Sequence, residues 1–454
     1  MATTTATASA VTTDYANYVN PQWVRLLNLL EMNVRYRHCS GTELFTEDGT
    51  TILDFLSGYC VHNTGHNHPA IIEAIKDELD RCGPAMLQSH IPDLAGTLAH
   101  RLCTLAGGGL NKVFFACSGS EGVEAAIKFA RKHTGRSGLL YAEGAFHGLT
   151  CGALSLMSDG FWKDKFGPML SDTAGVPFGD LGALKAKLST GRYAAFFVEP
   201  VQSEAGIQVP DRDYLAEAAK LCRKHGALFV MDEVQTGMFR TGTFLAGHQF
   251  NVQPDMVILA KALSGGLVPV SAVLMTSDIY HSVFDSLKRS IVHTSTFGEN
   301  ALAMRTGIAT LDVLTSERLG ERAQRMGEEL RQRLRESLSP YEMVKEVRGL
   351  GMLSGIEFQK PSSLKLRIAF EAFRHIHTGM FGQVIVMRMF RDRQILTQIC
   401  GNNFMVLKVA PPLVVTDAQL DHFVESITAV VDLMHNSTSF WSEALSLAGR
   451  AVNV

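Results

Sequence analysis

The sequence predicts an α/β protein with a large domain on a mostly parallel central sheet and a smaller α+β domain. Three observations carry this. The chain has 454 residues, too many for one simple core and enough for a large domain plus a smaller one. Two short apolar runs, Ala227–Met231 and Met256–Ala260, are β-branched or aromatic enough for buried strands. Each stops abruptly at a charge, the first at Asp232-Glu233 and the second at Lys261. In an open parallel sheet the carboxyl ends of the strands line the ligand crevice, so an acid and a lysine meet at one mouth.

Composition narrows the class. Apolar residues make up 46% and charged ones 19%, ordinary for a soluble globular enzyme. Net charge is −3 with no basic block, which gives nucleic acid binding no electrostatic support. Eight cysteines scatter from Cys39 to Cys400 without a CxxC pair, which points to reduced thiols in a cytoplasmic protein and away from a disulfide framework or a zinc site. Residues 1–14 are Thr/Ala-rich, lack the basic and apolar regions of a signal peptide, and are expected to be disordered. The longest uncharged stretch of the central region, Ala262–Ser277, is broken by glycines and a proline and falls short of the roughly 20 apolar residues of a membrane span.

Residues 15–69 read as an N-terminal arm. Gln22–Glu31 has helical apolar spacing, and Glu43–Phe55 alternates around Glu47-Asp48-Gly49 like a hairpin. His66 and His68 have no third ligand nearby in sequence and fit a structural turn before a helix at Pro69 better than a metal pair. The large domain covers 70–337. Val113–Ala116 is a strand running into Ser118-Gly119-Ser120-Glu121, and Gly122–Lys132 is helical. Such a turn offers free N–H groups and a positive dipole end to a phosphate, or is simply an N-cap by Ser118 or Ser120. Leu139–Tyr141, Ala194–Val198 and the run around Val270–Met275 are further strands, the second ending at Glu199-Pro200. Residues 303–337 form one long amphipathic helix leading to the small domain, 338–454, where 344–358 is a strand pair turning at Gly349-Leu350-Gly351. That segment is no dinucleotide fingerprint, because Ser354 stands where a glycine is needed.

For Asp232 and Lys261 two readings stand. One is an ion bridge at two strand ends, which contributes little. The other starts from Lys261 emerging from a run without a polar residue, which disfavours its charged form and makes it a better nucleophile. A nucleophilic lysine facing an acid is what pyridoxal 5'-phosphate chemistry needs: the lysine holds the cofactor as a Schiff base and the acid keeps the pyridine nitrogen protonated.

The segments DEVQTGMFRTG and PDMVILAKALSGG resemble the class III aminotransferases, the group of the ornithine, 4-aminobutyrate and putrescine enzymes. GHNHPAI, SGSEGVEAAIKFAR, AFHG, VEPVQSEAG, TSTFGEN and VAPPLVV follow the family's order, so the resemblance runs from about Asp54 to Val415. It implies fold type I, the aspartate aminotransferase-like architecture, with Lys261 and Asp232 catalytic. It also implies cofactor contacts from Gly119 and Ser120 to phosphate, Phe146 stacked on the pyridine ring beside His147, Gln235 on the phenolic oxygen and Glu199 near Asp232. Thr296 is implied to reach across a homodimer interface to the partner's phosphate, with Glu299 and Ala301 departing from the usual Gly and Pro. Tyr59 and Glu204 are implied on the substrate side, although a core tyrosine and a solvated loop glutamate explain them as well.

A last departure is Lys408, where members acting on amino acids carry an arginine for the substrate carboxylate. Lysine supplies charge without the planar fork, and Glu204 could instead pair with it. The segment 366–390, rich in Phe, Ile, Val and Met, reads first as core or interface packing and second as a wall or surface for a greasy or carrier-bound substrate. The expected reaction is amino transfer between an amine or ω-amino donor, or an amino acid such as glutamate or alanine, and an aldehyde or keto acceptor. An aminomutase or decarboxylase on the same fold is the alternative. No Gly-Lys dipeptide is present for a P-loop.

Overall fold

The structure, a computed structural model, describes residues 13–87, 89–158, 160–376 and 379–452. The disorder expected over 1–14 lies outside the described residues except at Thr13 and Asp14, which open a helix, Thr13–Tyr18. Among the described residues fifteen strands form three sheets. In the arm come β1 (Tyr36–Ser40), β2 (Glu43–Thr46) and β3 (Thr51–Asp54). Next are β4 (Lys112–Ala116), β5 (Gly138–Ala142), β6 (Thr173–Val176), β7 (Tyr193–Val198), β8 (Leu228–Asp232), β9 (Met256–Leu259) and β10 (Ser271–Met275). Last are β11 (Val344–Leu350), β12 (Leu353–Phe358), β13 (Ile395–Leu396), β14 (Gln398–Cys400) and β15 (Asn403–Val409).

The central sheet has the order β4-β10-β9-β8-β7-β5-β6. β5 to β9 pair in parallel, and β10 runs opposite to both its neighbours. Both faces are covered, and the two-residue period of a strand divides its side chains between them. Phe196 and Val198 of β7 enter one core with Phe229 and Val257, while Ala195 and Phe197 enter the other with Val230 and Ile258. The second core is closed by the helix Gly119–Thr134, which lays Val123, Ala126, Phe129 and Ala130 on the sheet. Its ends are well marked: the Ser118 hydroxyl accepts from the Glu121 N–H, and Gly135 closes the helix at φ 70°. Removing a side chain as large as Phe197 from such a site costs roughly 3–5 kcal/mol.

The arm hairpin forms as expected, and β3 takes β13 from the C-terminal region as a parallel neighbour. The third sheet, β11-β12-β15-β14, is antiparallel. Its first turn lies two residues later than expected: pairing continues to Leu350 and Leu353, so Gly351-Met352 make the turn. Gly351 sits at φ 55°, and a Cβ on Gly327 would lie 1.8 Å from its carbonyl oxygen, so helix backbone packs directly on this turn.

The single long helix expected over 303–337 is two helices, Ala301–Ser316 and Leu319–Leu338. The break is at Arg318, which takes the left-handed conformation at φ 52°, a change of direction that a continuous charged pattern does not announce. The apolar 366–390 segment folds as parts of the helices Leu364–Ile376 and Phe381–Arg393, burying Phe370, Phe373 and Phe381, the last of which stacks on Trp441. Its first reading, core packing, accounts for these side chains. His66 and His68 turn to different acids, Asp54 at 2.7 Å and Glu317 at 3.0 Å, so they do not form a metal pair. Among the described residues no helix is long and apolar enough to cross a membrane.

Candidate active site

Four strands of the central sheet deliver the site. β8 ends in Asp232, β9 leads into Lys261, Glu199 follows β7, and β4 feeds the turn before the helix Gly119–Thr134. Of these, β7, β8 and β9 bury every residue on both sides, so their first charged side chains appear only where each strand ends. Between the ends lies a cavity of about 430 Å³. Of the nine residues expected around a cofactor, all but Thr296 line it. Thr296 is exposed, on a segment held to this chain through Gly298, where a Cβ would lie 2.4 Å from the Phe115 carbonyl oxygen.

The acid side of the cavity is a buried network. Asp232 Oδ2 pairs with His147 Nδ1 at 2.8 Å, and Asp232 Oδ1 accepts the Val234 N–H at 3.0 Å. Burial works against a proton on His147, but the hydrogen bond and charge of Asp232, with Glu199 adding, outweigh it and raise its pKa. Glu199 accepts the Phe146 N–H at 2.9 Å, and burial pushes its carboxyl up to about 7. Two buried polar atoms in this wall have no partner, His147 Nε2 and Gln235 Oε1. Such atoms are uncommon in a finished interior, and both belong to residues that line the cavity.

Across the cavity, Lys261 has φ 45°, an uncommon conformation for a residue with a Cβ. Burial lowers its pKa most, and Lys408 pushes the same way against Cys60, Asp232 and Glu204. The residues expected on the substrate side, Tyr59, Glu204 and Lys408, do not line the cavity and connect to it through Gln235. Glu204 forms an ion pair with Lys408, which is 0% exposed, and accepts from Gln235 Nε2 at 3.1 Å and the Gly401 N–H at 2.8 Å. Lys408 Nζ also lies 5.1 Å from the centre of the Tyr59 ring. The two readings of Lys408 thus meet a geometry in which Glu204 occupies it.

Tyr59 belongs to a turn that the sequence did not reveal. Ser57, Gly58, Tyr59 and Cys60 all have positive φ, between 48° and 68°, a single left-handed turn that side chains normally resist. Arg240, fully buried, holds it. Its guanidinium donates to Ser57 Oγ, Asn63 Oδ1 and the carbonyls of Met352 and Pro411. Trp162 and Asn402, joined by a 2.9 Å hydrogen bond across 240 positions, were equally invisible. An arginine among glycines and threonines at 237–243 was the available signal for the first; nothing local marks the others.

The family model described as aminotransferase class-III matches residues 28–431. The chain is 34% identical to aminotransferase PigE of a Serratia strain over 92% of its own length, but it spans only about half, 53%, of that relative. It is 35% identical to the putrescine aminotransferase of Pectobacterium atrosepticum, covering 89% of this chain and 85% of that one. Among solved structures it is similar to the ornithine aminotransferase of Toxoplasma gondii, whose structure has pyridoxal phosphate at partial occupancy in its active site. The TM-score is 0.79 at 30% identity, with 88% of this chain and 90% of that chain covered. These neighbours share fold type I, the architecture expected from the sequence.

Proposed function

The chain belongs to the class-III aminotransferases and is a pyridoxal-phosphate-dependent transaminase; from that premise we propose that it takes an amine or ω-amino donor and passes the amino group to an aldehyde or keto acceptor. The cavity residues fit the cofactor. Gly119 and Ser120 begin a 16-residue helix whose first N–H groups and dipole suit a phosphate. A Cβ on Gly148 would lie 2.1 Å from Ser120 Oγ, so the space beside the phosphate donors depends on that glycine. The unpartnered His147 Nε2 and Gln235 Oε1 match a guest rich in polar atoms. Bound there, the cofactor supplies an electron sink for the charge left when a proton leaves the substrate carbon.

The protein's own groups do the rest. Lys261 is the catalytic base: its lowered pKa leaves a larger share of free amine near neutrality, to form the covalent attachment and then carry the proton. Asp232, oriented by His147, offers a carboxylate oxygen to a protonated ring nitrogen. Phe146 gives the ring an apolar face and excludes water from it. Glu199 and Gln235 complete the wall, and Thr296 serves the partner's site in a homodimer. Leu287, 95% exposed, and Ile291, 78% exposed, stand near Thr296 in the chain and support a second copy covering this region. A cytoplasmic enzyme agrees with eight unpaired cysteines.

One observation carries the choice of donor, the buried Glu204–Lys408 pair. The lysine charge is already matched, so Lys408 is not free to bind an α-carboxylate. The putrescine aminotransferase relative agrees with an amine donor. The test is the absorbance of the purified protein in the visible-violet region, followed on addition of 1,4-diaminobutane, of α-amino acids and then of a keto acid. Bleaching by the diamine and recovery with the keto acid is expected; bleaching by α-amino acids alone would overturn the donor assignment.

A further inference from the structure

A frame of contacts beside the cavity starts and ends on residues lining it, Gln235 and Phe146. Gln235 donates to Glu204 Oε1 at 3.1 Å. Glu204 in turn accepts the Gly401 N–H at Oε2, 2.8 Å, and the Asn402 N–H at its carbonyl, 2.9 Å. Asn402 Oδ1 accepts the Trp162 indole N–H at 2.9 Å, while Asn402 Nδ2 is anchored on the Gly144 carbonyl at 3.0 Å. The indole then meets Phe146 edge-on, 5.5 Å between centroids at 81°, and Phe146 lines the cavity again. A Cβ on Gly401 would lie 3.5 Å from Trp162 Cζ2, so the indole lies close alongside this turn.

From this frame we infer that Trp162 is a specificity-determining residue, packing against the part of the amine donor that does not react; the inference rests on the function proposed above. A donor whose nitrogen reaches Lys261 must extend the rest of its chain through the frame. One side of the frame is the neutralised Glu204–Lys408 pair, which gives an apolar chain nothing to bury against. The indole gives it a flat apolar surface, fixed by Asn402 and Phe146 on two sides. Its position sets how wide a chain can lie there. Pockets of this kind discriminate by about 10- to 200-fold per methylene-sized change.

The test compares 1,4-diaminobutane with 4-phenylbutylamine, reading the rate and concentration dependence of absorbance bleaching in the wild type, Trp162→Ala, Trp162→Phe and Asn402→Ala. Trp162→Ala is expected to raise the preference for the phenyl donor about tenfold, mainly through the concentration dependence, with cofactor absorbance unchanged. Trp162→Phe and Asn402→Ala should move it the same way by less, and they decide the matter if the alanine variant does not fold. Preference unchanged within about twofold in all folded variants overturns the inference, as does loss of cofactor from Trp162→Phe. Failure of the wild type to bleach with any amine, although it carries the cofactor, refutes the donor assignment and this inference with it.

Discussion

Lys261 and Lys408 stand at the ends of strands in two different sheets, the first half-buried on the cavity wall and the second fully buried. Lys261 has no hydrogen bond or ion pair among the described residues, and burial, the largest influence, holds its pKa below the ordinary lysine value of 10.5. Lys408 is the more deeply buried of the two, yet Glu204, with Cys400 adding, outweighs burial and holds its pKa well above that range. Glu204 responds in kind: burial would raise it, and Lys408, the Gly401 N–H and Gln235 together draw it below the carboxylate range. The contrast teaches that burial alone does not make a lysine reactive. A buried lysine without an anion gives up its proton easily, and one with a bonded anion becomes a fixed part of the wall.

The comparison breaks most visibly on exchange of each lysine. Lys261→Ala should lower the rate of amine-driven bleaching by roughly 10³-fold or more while leaving the fold intact, as circular dichroism would check. Lys408→Met should keep a measurable rate, because Lys408 carries no proton in the reaction.

Stability should divide the two the other way. Lys408→Met leaves Glu204 buried without its partner and should cost about 3–5 kcal/mol in denaturant unfolding. Adding Glu204→Gln should recover most of that loss, and Lys261→Met should be neutral or stabilising. The pair's contribution also has a pH window. Glu204 is depressed, so its share is present above the ordinary carboxylate value of 4.5 and is lost as pH falls through its folded pKa. Lys408 is raised, so its share is present below 10.5 and is lost as pH rises through its folded pKa. A melting profile in the double variant should be flatter at both ends.

A smaller effect couples the two sites. The rate should rise with pH through the Lys261 pKa, on a limb lying below 10.5. Lys408 lowers that pKa and Glu204 raises it, so Lys408→Met should move the limb to higher pH and Glu204→Gln to lower pH. Movement of both in the same direction would refute the assignment of the limb to Lys261. The smallest expected change is at Tyr59. Tyr59→Phe keeps the ring over Lys408 and should be nearly neutral in unfolding, whereas Tyr59→Ala should cost about 0.5–2 kcal/mol.

Much of the framework was legible because it is local. The β7, β8 and β9 runs announce themselves as apolar stretches ending in charge, and that same ending locates Glu199, Asp232 and Lys261. The N-cap by Ser118 and the arm hairpin are likewise written within a few residues. What could not be read depends on distant partners. Whether Lys408 is a free anchor or a matched charge is decided by Glu204, 204 positions away. The left-handed turn at Ser57–Cys60 is held by Arg240, 183 positions from Ser57, against local preference.

Arg240 carries one more consequence. Its guanidinium ties the arm at Ser57 and Asn63 to the third sheet at Met352 and to Pro411 beyond it, with no carboxylate among its hydrogen-bond partners. The turn that carries Tyr59 is therefore tensioned from outside the pocket, like a drumhead from its frame. A change in the Gly351-Met352 turn, far from the chemistry, would retune the aromatic ring standing over Lys408 without touching a single residue of the cavity.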